Sequence, residues 1–201
     1  VNLDRDATPL AELVPDLASA RFTGNEHIEL RVLEPVREIV LNALDLAIGT
    51  ATVTDAAGQA IEATVHLDPA EERAVVTLES DLSPGSATLT LAFEGELNDK
   101  LRGFYRSTFR DEAGAEHVIA TTQFEATDAR RAFPCWDEPD RKAVFAVTLV
   151  VDERLAALSN APVLDETPTG DGTKIVRFAD TIVMSTYLLA FVVGPFELTE
   201  P

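Results

Sequence analysis

From Glu26 to Glu94 the apolar residues recur at every second position, the period of strands that turn one face toward a core. Three runs carry it. "HIELRVL" sets Ile28, Leu30 and Val32 on one face, "AIEATVHL" does so with Ile61, Ala63, Val65 and Leu67, and "ATLTLAFEG" with Ala87, Leu89, Leu91 and Phe93. Turn chemistry separates them: "DAAG" at Asp55 to Gly58, "DPAEE" at Asp68 to Glu72 and "SPG" at Ser83 to Gly85. Strands joined by connections this short are expected to run largely antiparallel.

Farther along, "GFYRSTF" and "EHVIATTQF" flank "RDEAG" and predict a hairpin. "AVFAVTLVV", Ala143 to Val151, is apolar on both faces and predicts a central strand. "LDETPTGDGT", Leu164 to Thr173, reads as a surface turn, and "TYLLAFVVG" as the last strand. No helix longer than about three turns is predicted. The expected fold class is mainly β: a large antiparallel multi-sheet sandwich or saddle with at most short helical turns, forming a single domain over residues 1–201.

Charge narrows the partners. Sixteen Lys and Arg against 35 Asp and Glu give a net charge of −19, which opposes approach to nucleic acid or an anionic membrane. The same field favours cationic ligands, among them the ammonium of a peptide amino terminus. The lone Cys135 cannot form an internal disulfide, which fits a reducing compartment, and a cytoplasmic location is expected. The start, "VNLDRDATPL", has no leader pattern and no initiating methionine, so a processed chain or a piece of a larger protein is expected. The preponderance of Arg over Lys points to a GC-rich bacterial gene.

Autonomous catalytic chemistry is not legible. His27, His66 and His117 fall on different strands with outward phase, and neither HExxH, CxxC nor an EF-hand loop occurs, so no metal site is expected in this chain. There is no GxSxG elbow, and Cys135 reads as a packed hydrophobe rather than a nucleophile. No catalytic residue is assigned.

One stretch stands apart: "TTQFEATDARRAFPCWDEPD", Thr121 to Asp140. Thr127 or Asp128 can cap a short helical turn over "DARRAF" that Pro134 helps to end, with Phe133 and Trp136 as anchors. Arg130 and Arg131 lie within pairing reach of Asp128, Asp137 and Glu138, so an ion-pair cluster accounts for most of the charge. Gln123 and Glu125 do not fit that cluster. At an extended strand end they share one face and project an amide and a carboxylate from the sheet rim; spacing alone leaves Glu125 open to being a solvated rim residue.

At these residues the chain resembles the M1 family of zinc aminopeptidases of the aminopeptidase N type, specifically their amino-terminal β domain. The likeness is an ordered series: "FTGNEHIEL", "EPVREIVLNALDLAI", "LNDKLRGFYRSTF", "ATTQFEATDARRAFPCWDEPDRKAVFAVTLVV", "LSNAPV" and "MSTYLLAFVVGPFE". The resemblance implies a saddle-shaped β domain packed, across the 121–140 region, against a thermolysin-like catalytic domain. That domain carries GAMEN and HExxH motifs and holds zinc; neither motif occurs in this sequence. It further implies that Glu125 binds the α-ammonium of a peptide substrate and that Gln123 lines the pocket for its first side chain. The leukotriene-hydrolase branch tends to place glutamine where Glu125 stands, so the ordinary aminopeptidase branch is implied. Alone, the chain is then expected to bind no zinc and to cleave nothing. The alternative is a non-catalytic β-sandwich interaction module that keeps the M1 fold.

Overall fold

A computed structural model of the chain describes residues 9–197. The strands are β1 (Pro9–Asp16), β2 (Arg21–Val32), β3 (Val36–Asn42), β4 (Leu46–Asp55), β5 (Ala60–Asp68), β6 (Arg73–Leu82), β7 (Gly85–Glu96) and β8 (Gly103–Arg110). They continue as β9 (Glu116–Gln123), β10 (Lys142–Ala143), β11 (Ala146–Asp152), β12 (Ala156–Ser159), β13 (Val163–Pro168), β14 (Thr173–Phe178), β15 (Met184–Ser185) and β16 (Phe191–Gly194). Two single 3-10 turns, Ala129–Arg131 and Thr186–Leu188, are the helical content of the described residues, so the chain is mainly β, as expected. The opening segment "VNLDRDAT" lies outside the described residues.

A ten-stranded sheet runs β13-β14-β11-β1-β2-β7-β4-β5-β6-β3, a four-stranded sheet runs β12-β16-β9-β8, and β10 pairs with β15. Pairing is antiparallel except between β1 and β11. The strict alternation of β2, outward at Arg21 and inward at Phe22 through Val32, is what period two dictates for a strand with one covered face. The register of β4 against β7 shifts between Ile48 and Ala51. Such a bulge bends the strand, and inward residues of β2, β7 and β4 meet those of β5, β6 and β3 in one cluster built on Ile28, Ile39, Val53, Val76 and Leu89. The large sheet therefore folds over on itself.

A second cluster lies between the β11–β1–β2 part of that sheet and the four-stranded sheet. Its spine is a run of rings: Phe22 to Phe104 at 5.2 Å, Phe104 to Phe191 at 4.9 Å, Phe191 to Phe124 at 5.9 Å, Phe124 to Phe133 at 6.0 Å and Phe133 to Phe145 at 6.4 Å. Four of the five meet near edge-on, the geometry that ring quadrupoles favour. The run joins the large sheet to the small sheet and both to the 124–145 connection.

Three expectations need correction. The "SPG" connection does not join paired strands: β6 and β7 are separated in the sheet by β5 and β4, and Ser83 and Pro84 link strands that are not neighbours. "LDETPTGDGT" is half strand: β13 pairs with β14 from Val163 to Pro168, and the turn is only the residues between them. Its residues are exposed throughout, so no apolar alternation marks it, while Glu166 and Asp165 pair with Lys174 and Arg177 across the edge. The final "TYLLAFVVG" begins with a 3-10 turn, and only Phe191–Gly194 is strand.

Candidate functional site

The β8–β9 hairpin forms as predicted, with Gly103 opposite Gln123 at its base. β9 ends at Gln123, and the next side chain, Phe124, is 2% exposed within the ring spine. Gln123 and Glu125 are both exposed on either side of it, as the alternation at a strand end requires. Neither side chain makes a hydrogen bond or ion pair among the described residues, leaving an amide and a carboxylate free to meet a ligand. The Glu125–Ala126 peptide is cis.

Beyond Glu125 the backbone closes on itself: the Asp128 N–H donates to the Phe124 carbonyl at 2.9 Å, and the 3-10 turn follows. Asp128 stands at the N-cap position, but its carboxylate makes no cap bond. It accepts from Arg131 Nε at 2.6 Å instead. Arg131 also pairs through Nη1 with Asp45, in the connection between β3 and β4.

Arg130 takes a different set. Its Nε donates to Asp137 Oδ2 at 3.0 Å, its Nη2 to the Asp137 carbonyl at 3.2 Å, and its Nη1 to Glu72 at 2.8 Å. The Asp137 side chain is 1% exposed and also accepts from Thr186 Oγ1 at 2.9 Å. Burial works against the charge of Arg130, yet hydrogen bonds and charge from Asp137 and Glu72 outweigh it and hold its pKa above the ordinary value. The expected cluster thus exists with altered membership: Glu138 takes no part, and Glu72 and Asp45, distant in sequence, complete it.

Backbone bonds knit the same stretch to the β3–β4 connection. Asn42 and Cys135 exchange N–H to carbonyl bonds at 2.7 and 3.1 Å, Leu44 N–H donates to Arg130 O at 2.9 Å, and the Asp137 N–H donates to Asn42 Oδ1 at 3.2 Å. Trp136 anchors from the other side, its Nε1 donating to Val40 O at 2.9 Å, although the ring is only half-buried. Phe133 is fully buried as expected. Cys135 is packed among apolar neighbours, and burial first, then the Asp137 charge, pushes its thiol well above the ordinary value. That is the opposite of what a nucleophile needs.

Sequence reasoning missed Glu26. It is 0% exposed at an inward position of β2, and among the described residues neither carboxylate oxygen has a hydrogen-bond partner. Desolvation pushes its pKa well above the ordinary 4.5. The signal was present, because the alternation that sets Ile28 inward sets Glu26 inward as well.

His27 and His66 are exposed and His117 is partly exposed, bonded to Asp111 at 2.8 Å. Among the described residues no three His, Cys, Asp or Glu converge to fit a metal.

Comparison with known proteins gives one consistent relationship. The family model described as "Peptidase M1 N-terminal domain" matches residues 10–188. Among curated proteins, the chain is 45% identical over 192 residues to "Aminopeptidase M1" of Arabidopsis thaliana, covering 94% of this chain and 22% of that protein. It is 42% identical over 187 residues to "Puromycin-sensitive aminopeptidase" of Caenorhabditis elegans, covering 92% and 20%. "Aminopeptidase 2, mitochondrial" of Saccharomyces cerevisiae is 41% identical over 193 residues, covering 92% and 20%. The chain thus spans about a fifth of the length of the curated relatives it matches. These relatives are a plant, a nematode and a yeast protein and lend no support to the bacterial source expected from the Arg bias.

Proposed function

The chain belongs to the peptidase M1 N-terminal domain family, and from that premise we propose that it is the substrate-positioning domain of a zinc-dependent aminopeptidase that removes amino-terminal residues from peptides. The observation that carries this reading is the pair Gln123 and Glu125, exposed and unpartnered on either side of the buried Phe124. An exopeptidase must recognise a chain end. A carboxylate facing the α-ammonium does so, because a mid-chain peptide bond has no such charge to offer. Glu125 is that carboxylate, and Gln123, two residues back on the same rim, borders the pocket for the first side chain.

The described residues hold no cluster that fits the metal, so the zinc and the groups that activate water belong to a second domain in this reading. Zinc there would polarise the scissile carbonyl. This chain's part is to bind the ammonium and fix the reach between the chain end and the reacting bond. A catalytic domain packed over the 121–140 rim would desolvate Glu125 and strengthen its bond to the ammonium. On its own the 201-residue chain hydrolyses nothing. The lone, buried Cys135 fits a cytoplasmic location. An interaction module without chemistry would have no use for a free carboxylate beside a free amide, which favours the peptidase reading.

The test is Glu125→Ala in the full-length protein. A charge-assisted hydrogen bond is worth about 1.5–3 kcal/mol, so kcat/KM for substrates with a free amino terminus should fall roughly 10- to 150-fold. An unchanged kcat/KM would overturn the assignment.

A further inference from the structure

We infer that Arg131 is a positioning residue for the Glu125 carboxylate; the inference rests on the reading of Gln123 and Glu125 as the ammonium subsite. The Glu125 side chain has no bond to fix it among the described residues, so its place is set by the backbone from Phe124 to Asp128, which the Asp128 N–H to Phe124 carbonyl bond closes at 2.9 Å. Arg131 grips the far end of that loop through Asp128, at 2.6 Å, and ties it to Asp45 on the β3–β4 connection. It also touches the near end. Gly103, the cross-strand partner of Gln123, has φ of 67°, and a Cβ built there would stand 2.7 Å from Arg131 Cβ. One side chain, 12% exposed, therefore packs against the partner of Gln123 and binds the residue that closes the Glu125 loop.

Charge gives the same residue a second effect. Between Thr121 and Asp137 the carboxylates are Glu125, Asp128 and Asp137. Asp137 is held by Arg130 and Asp128 by Arg131, which leaves Glu125 as the one uncompensated anion of the stretch. Without Arg131, Asp128 and the exposed Asp45 become competing anions near the subsite. The planar guanidinium spans carboxylates on two separate elements, and a lysine ammonium, a single point charge, does not reproduce that fork.

The test compares full-length wild-type enzyme with Arg131→Lys, Asp45→Asn, Glu125→Ala and the Arg131→Lys/Glu125→Ala double variant on an alanyl anilide, with melting temperature recorded for each. Misplacing a binding group by about an ångström costs up to about 100-fold, and Arg131→Lys should raise KM about 3- to 10-fold on that scale. Asp45→Asn, which leaves the loop itself untouched, should move KM the same way but less. In the Glu125→Ala background Arg131→Lys should change KM no further. A merely structural role would lower the melting temperature and the active fraction, hence apparent kcat, equally in both backgrounds while KM stays at the value of each parent background. Wild-type KM in both Arg131→Lys and Asp45→Asn, with Glu125→Ala impaired, overturns the inference alone. Wild-type kcat/KM in Glu125→Ala overturns the ammonium reading and this inference with it.

Discussion

Replacing Glu26 should make the domain more stable, and by an amount that grows with pH. The carboxylate is fully buried in β2, opposite Leu91 of β7, with no partner for either oxygen among the described residues. Its folded pKa lies well above its ordinary 4.5 because burial disfavours the charged form. Cys135 lies within reach of that charge, and burial pushes its thiol well above the ordinary value, so it offers Glu26 no compensating cation. The folded state therefore holds a proton that the unfolded chain releases above pH 4.5. Stability contributed by the group is fully present below that pH and falls by about 1.4 kcal/mol per pH unit as pH rises toward the folded value. Two pH units within that window amount to about 3 kcal/mol, a large share of the roughly 5–15 kcal/mol that holds a domain together.

Glu26→Val removes the charge and supplies a β-branched side chain suited to a central strand. Glu26→Gln keeps the buried polar head but does not titrate. Urea unfolding of the three chains between pH 4.5 and 7.5, analysed as differences from wild type, cancels the many carboxylates they share. Both differences should rise with pH at up to about 1.4 kcal/mol per unit, with Glu26→Val displaced to higher stability by the buried polar group it lacks, about 1–3 kcal/mol. Differences that stay flat across the whole range would refute the claim that the fold keeps Glu26 protonated.

Arg130→Ala leaves the Asp137 carboxylate buried with its main cation gone, and should cost about 3–5 kcal/mol in urea unfolding; a cost below about 1 kcal/mol would mean that the Thr186 hydroxyl and the backbone N–H of residue 130, which donates to Asp137 Oδ2 at 3.3 Å, suffice. Cys135 should resist an aromatic disulfide reagent at pH 8 in the native chain and react at once in denaturant, because burial disfavours the thiolate. Gly103→Ala meets both a positive φ and the Arg131 Cβ, and should cost on the order of 1–3 kcal/mol in the same unfolding assay.

What could be read beforehand follows from which interactions are local. Strands with one buried face announce themselves through period two, and β2, β5, β7 and the β8–β9 hairpin fell where alternation placed them. β13 did not, because an edge strand exposed on both faces carries no apolar alternation, and its Asp, Glu, Thr and Pro resemble turn chemistry. Gln123 and Glu125 were legible as a rim pair from spacing alone. The partners that hold the rim were not: Asp45 and Glu72 lie 86 and 58 residues from the arginines they meet, a distance no local pattern spans. The ring spine from Phe22 to Phe145 is likewise a product of tertiary packing. Glu26 was overlooked for another reason: period two was followed through apolar residues alone, and the phase of β2 that sets Ile28 inward sets this carboxylate inward as well.

The most direct test sets a dipeptide anilide against its analogue lacking the α-amino group, each with full-length wild-type enzyme and with Glu125→Gln. If Glu125 reads the ammonium, wild type should prefer the amine-bearing substrate by at least about 10-fold in kcat/KM, and the substitution should erase most of that preference. A preference that survives Glu125→Gln undiminished would place ammonium recognition elsewhere and remove the central role assigned to this domain.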